Sequence, residues 1–168
     1  MPPATARLVD EESIKPDSSS LLPVCASPSK SNPDYYYHWT HDAGVTLLEV
    51  STRFNTTSDA TEIATYKQKL SDYATFSRGI QAISSASGIR TAKSNMDGSA
   101  YTGSWCNPQR NGAATRALSL ISFAHKLISE GSNVATYYDG QCPTSSVVMA
   151  DLEYVANNWN ADKNGCDI

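Results

Sequence analysis

The stretch from Gly112 to Glu130 does most to limit what this chain can fold into. Ala113, Ala114, Ala117, Leu118, Leu120, Ile121, Phe123, Ala124, Leu127 and Ile128 cover more than half of a helix's circumference. A surface helix carries one apolar stripe, so a helix apolar on so wide a face is packed on two sides. Its neighbours must come from the rest of the chain, and three segments read as one-striped helices. Val45, Leu47, Leu48, Val50 and Phe54 recur at helical spacing between Ala43 and Phe54, with Asp42 placed as a cap or a first-turn carboxylate. Ser58 or Asp59 caps a longer run in which Ile63, Tyr66, Leu70, Tyr73, Phe76, Ile80 and Ile83 stand three or four apart, ending before Gly88. Val148, Leu152, Val155 and Trp159 mark the last helix, and the stripe assigns Trp159 to the core. No segment alternates like a strand for more than a few residues. The predicted class is therefore all-α, with wide-faced and one-faced helices in two layers.

The connections divide the chain. Residues 1–31, rich in Pro, Ser and charge, read as a loose N-terminal arm, and residues 32–168 as the folded part. The loop from Ser87 to Asn111 is dense in Gly, Ser and Asn and longer than ordinary connections, which marks it as functional or disordered. With 13 basic against 17 acidic side chains the chain lacks an electrostatic footprint for nucleic acid or anionic lipid. No apolar run approaches the length of a membrane span, and Met1–Ser20 has no signal-peptide centre. Cys25, Cys106, Cys142 and Cys166 are too widely spaced for a zinc knuckle or redox motif; oxidised, they allow three pairings, and free buried thiols fit equally. His38 and His41 have no third His or Cys near them in sequence, so they read as structural or solvent-facing. Asn55-Thr56-Thr57 is a glycosylation sequon, which suits a secreted protein.

Chemistry concentrates between Asn32 and Ala43. Asn-Pro-Asp-Tyr-Tyr-Tyr-His-Trp-Thr-His-Asp-Ala sets Tyr35, Tyr36, Tyr37 and Trp39 beside Asp34 and Asp42. Pyranose rings lay flat C–H faces on Tyr and Trp, while their hydroxyls need acceptors such as carboxylates. A sugar pocket follows from those residue types. Trp105 lies in the polar Gly-rich loop, where no helix stripe explains it.

These segments resemble the fungal glucoamylases, which release glucose from the non-reducing ends of starch. The resemblance runs over most of Cys25–Ile168. It rests on Ala26-Ser-Pro-Ser with Asn32–Asp42, on Tyr101-Thr-Gly-Ser-Trp-Cys-Asn-Pro-Gln-Arg-Asn-Gly112, and on Asp151-Leu-Glu-Tyr-Val-Ala-Asn-Asn-Trp-Asn160. It implies a partial (α/α)6 barrel, an incomplete toroid of inner and outer helices with the pocket at one end. Carried over, Asp42 binds hydroxyls of the terminal glucose, and Tyr35 and Trp39 line its subsite. Trp105 binds substrate and supports the catalytic acid, with Gln109 and Arg110 beside it. His41 stands where the family has Arg, losing a bidentate fork, and Cys106 where it has Gly. Asn164–Ile168 matches the opening of a signature in which Trp-Glu-Glu follows, and Asp167 fills its acidic position.

The first Glu of that triplet is the family's proton donor, and the general base lies further on. Because an inverting glycosidase needs both carboxyl groups, the 168-residue chain is expected to be truncated and inactive on its own. The resemblance implies an α-glucan partner, secretion and no cofactor. An incomplete toroid also leaves apolar helix faces uncovered, so marginal stability or self-association is expected. The alternative is a catalytically dead sugar-binding or interaction module, and a ligand-free helical scaffold is a third reading.

Overall fold

The computed structural model describes residues 34–83, 89, 91–105, 109–139 and 146–160. The N-terminal arm, all four cysteines and Asp167 lie outside the described residues. In chain order the elements are β1 (His38–Trp39), α1 (Thr40–Thr56), α2 (Ala60–Gln81), β2 (Lys93–Ser94), α3 (Asn111–Ser129) and α4 (Val147–Asn158). The all-α expectation holds for the bulk of the chain. It misses the short antiparallel ribbon of β1 and β2, whose two-residue strands are too short for alternation to show.

Helix α1 begins three residues before its apolar pattern, and the ribbon explains the early start. The Thr40 N–H donates to the Ala92 carbonyl (2.9 Å) and its hydroxyl to the Thr91 carbonyl (2.8 Å). One of the orphan N-terminal donors is thus satisfied without a side-chain cap. Asp42 serves as the first-turn carboxylate rather than as the cap. Helix α2 does have a side-chain cap: Asp59 accepts from the N–H groups of Thr61 (2.8 Å) and Glu62 (2.9 Å). In α4 Ser146 takes the same role, accepting from Met149 N–H (3.2 Å) while donating to the Tyr137 carbonyl (2.7 Å).

Helix α3 packs on α1 and on α4, as its wide apolar face requires. Its contact with α1 is unusually close. A Cβ on Gly44 would sit 2.5 Å from Thr115 Oγ1 and 2.8 Å from the Arg116 backbone nitrogen, and one on Gly112 would sit 3.0 Å from Thr40 Cγ2. Further along, Phe54 meets Phe123 edge to face at 5.4 Å, and the Asn55 amide donates to Ser122 Oγ (3.0 Å). The sequon asparagine is therefore half-buried, its amide nitrogen engaged by α3.

Between α3 and α4 lies a fully buried ion pair, Arg116 Nε and Nη2 donating to both Asp151 oxygens (2.7 and 2.6 Å). Burial alone would push the guanidinium down, but the Asp151 charge and hydrogen bonds leave it above its ordinary value. Two features depart from the sequence reading. Leu118, Ile121 and Ile128 of α3 remain exposed, so packing on two sides leaves part of its apolar face uncovered. Trp159, expected in the core, is 75% exposed: the buried residues of α4 are Val147, Val148 and Asp151 in its first turns, and the stripe beyond them, from Leu152 to Trp159, is left partly or largely open.

Candidate functional site

The ribbon and the turn beyond it assemble a cluster of rings. Strand β1 pairs with β2 so that Trp39 faces Lys93 and His38 faces Ser94. Successive residues point to opposite faces. His38 accordingly turns inward, fully buried with its ring 4.7 Å from Phe76, while Trp39 stays partly exposed. After β2 the chain turns back. Asn95 N–H donates to Ser99 O (3.0 Å) and Gly98 N–H to Asn95 O (2.9 Å), with Gly98 at φ 83°, a left-handed conformation that suits glycine. Ser99 donates from its backbone to the Asp97 carboxylate (2.9 Å), and its hydrogen bonding holds that carboxyl below the usual range. A bridge between Ser94 and Ala100 then returns Tyr101 and Trp105 to the ribbon.

Trp39 and Trp105 meet edge to face at 5.0 Å and 72°. Tyr35 lies 6.1 Å from Trp39, and Tyr37 contacts Tyr101 at 5.1 Å. Asp34 folds back on its own segment, accepting from Tyr36 N–H (3.0 Å) and from the Tyr37 hydroxyl (3.4 Å). The Trp39 indole N–H donates to the Tyr35 carbonyl (3.3 Å). Tyr35 is 52% and Trp105 44% exposed, so the cluster turns ring surface to solvent beside a short helix-borne carboxylate, Asp42, one turn beyond Trp39. Such a surface suits a neutral ligand with apolar faces and hydroxyls.

Of the residues singled out in sequence, the fold therefore joins Tyr35, Trp39 and Trp105, with Asp42 exposed on the adjoining first turn of α1. Gln109 and Arg110 are partly buried immediately before α3, where Arg110 is the N-cap residue. Asp167 and Cys106 lie outside the described residues. Sequence reasoning missed Lys93. Its ammonium stands 4.0 Å from the ring centre of Tyr37, 4.1 Å from those of Tyr101 and Trp105, and 4.9 Å from that of Trp39. A lysine in a Gly- and Ser-rich loop carries no signal of burial; the β1–β2 register sets it on Trp39's face of the ribbon, where the surrounding rings cover it. Among the described residues no group of three His, Cys, Asp or Glu could hold a metal, and no helix is long and apolar enough to cross a membrane.

The model for "Glycosyl hydrolases family 15" matches residues 23–166. Glucoamylase 1 of Rhizopus oryzae is 37% identical over 154 residues, 91% of this chain and 24% of the relative. Glucoamylase-1 of Schizophyllum commune is 36% identical over 143 residues, 82% of this chain and 23% of the relative. The chain thus spans about a quarter of the length of these curated relatives. Among solved structures, the Saccharomycopsis fibuligera glucoamylase superposes with a TM-score of 0.71 at 34% identity, covering 85% of this chain and 32% of that one. The Hormoconis resinae glucoamylase gives 0.69 at 31% identity, covering 81% and 23%.

Proposed function

The chain belongs to the glycosyl hydrolases of family 15, and from that premise we propose that it carries the sugar-holding wall of an enzyme releasing glucose from the non-reducing ends of α-1,4-glucans. In this reading the helices are one part of an (α/α)6 barrel. The rings of Tyr35, Trp39 and Trp105 take the apolar faces of the terminal glucose, and Asp42 accepts from its hydroxyls. Gln109 and Arg110 border the same pocket. The observation that carries the reading is the 5.0 Å contact of Trp39 with Trp105, which makes one surface from two distant segments.

The chemistry proposed is inverting. One protonated carboxyl protonates the leaving oxygen while a carboxylate about 6.5–9.5 Å away activates water on the other face. Neither role falls to Asp42, whose part is binding; Asp167 belongs to the acidic position ahead of the proton donor. No cofactor enters this reaction. The proposed setting is extracellular, where starch-type glucans are met.

General acid–base assistance contributes about 10²–10⁴-fold per group, so a polypeptide of these 168 residues should bind sugar without appreciable turnover. The test uses the chain with Trp159→Phe, leaving Trp39 and Trp105 as its fluorophores. Maltose is expected to quench the emission saturably and no glucose to appear. Absence of quenching removes the sugar wall, and glucose release above blank overturns the proposed division between binding and catalysis.

A further inference from the structure

On the face of the ribbon away from the rings lies a small space walled by Thr40, Ser94, Gln81 and Arg116, with Ile80 and Ile83 beside them. It offers water centres about 20 Å³, more than the roughly 10–15 Å³ that one molecule needs. Two of its walls carry a buried oxygen with no hydrogen-bond partner among the described residues, Ser94 Oγ and Gln81 Oε1. A buried hydroxyl or amide oxygen left unpaired costs its lost hydration, so native structures pair nearly all such groups with protein or with ordered water.

Each orphan is held where it is by bonds made elsewhere. Ser94 stands opposite His38 in the ribbon, so its side chain shares the inward face of that buried ring, and it is 3% exposed. Gln81 donates from Nε2 to the Val147 carbonyl (3.0 Å). Only the nitrogen end of an amide can make that bond, which leaves the oxygen as the unpaired end. Thr40 supplies a third group, because its hydroxyl gives its proton to the Thr91 carbonyl (2.8 Å) and keeps lone pairs to accept with.

We propose that this space is a binding site for one water molecule, which accepts from the Ser94 hydroxyl and donates to Gln81 Oε1 and Thr40 Oγ1. Three such bonds are the usual complement of a buried water. The site selects a donor over an anion. Arg116 also lines it, but the Asp151 carboxylate already balances that charge, and two of the three remaining groups can only accept. The water ties the ribbon and the first residue of α1 to the last residue of α2, and through Gln81 to the start of α4. It stands on this geometry and makes no use of the function proposed above.

The test uses the full chain and two substitutions at Ser94. Ser94→Ala removes the group that donates to the water, and should lower the melting temperature by about 2–4 °C with helix content unchanged. A dry space responds in the other direction, since the same change deletes an unpaired buried hydroxyl. A raised or unmoved melting temperature therefore overturns the proposal. Ser94→Val sets two methyl groups where the water would lie. Water-oxygen magnetic relaxation dispersion, which counts molecules held for longer than the protein tumbles, should show one fewer in Ser94→Val than in the parent at the same concentration. Equal counts overturn the proposal. Should Ser94→Val fail to fold, the direction of the Ser94→Ala shift decides. A melting temperature that climbs with added chloride in the parent and not in Ser94→Val would place an anion in the space, and overturns the assignment to water.

Discussion

Arg116 and Asp151 hold opposite charges at a place where water reaches neither, and each satisfies the other through paired hydrogen bonds. Breaking such a pair costs more than replacing it, because the survivor is left buried and uncompensated. Arg116→Met should destabilise the fold by about 3–5 kcal/mol, and Arg116→Met with Asp151→Leu should recover most of that loss. Chemical denaturation of both variants measures the difference; a double variant as weak as the single one would mean that the pair itself stabilises the native state. Asp151 falls inside one of the motifs that carry the resemblance, but the sequence gives no sign that it meets Arg116, since the partners lie on different helices. The site divides in the same way. Tyr35, Trp39 and Trp105 were legible because large rings in polar loops lack a core explanation. Lys93 was not, because its burial depends on a pairing register between distant segments.

At the scale of elements, the α1–α3 crossing depends on the absence of a side chain at Gly44. Alanine favours a helix interior over glycine by about 1 kcal/mol, so at an open position Gly44→Ala would stabilise. Here the added Cβ would come 2.5 Å from Thr115 Oγ1, a hydroxyl already tied to the Asn111 carbonyl (3.0 Å), and 2.8 Å from backbone. Forcing the helices apart costs about 1–3 kcal/mol, so the net sign should be destabilising. Thermal unfolding checks it, and a raised melting temperature would show that the helices yield at no cost. The four helices of the described residues were readable from apolar spacing, because a repeat near 3.6 residues persists over several turns. Their ends were less so. Helix α1 begins at Thr40 through bonds to Thr91 and Ala92, and α4 stops one residue short of Trp159, neither of which a stripe can show.

For the whole molecule, the question is what the uncovered apolar faces do in water. Val45 and Leu48 on α1, Leu118, Ile121 and Ile128 on α3, and Leu152 on α4 are each more than a third exposed. Single exposed apolar residues are ordinary, but helices α1 and α3 pack side by side and both leave such residues uncovered. Burying one leucine or isoleucine fully gains about 1.5–3 kcal/mol, enough that a few of them against a second copy would offset the entropy lost on association only in part. Weak, concentration-dependent self-association is therefore the expected behaviour of the 168-residue chain, rather than a tight dimer. Sedimentation velocity over a range of concentrations should show the average mass rising. Leu118→Glu together with Ile121→Lys should hold it at the monomer without loss of helix content, since both positions face solvent. A parent chain that stays monomeric at every concentration and unfolds cooperatively would mean that these faces tolerate water and need no partner copy.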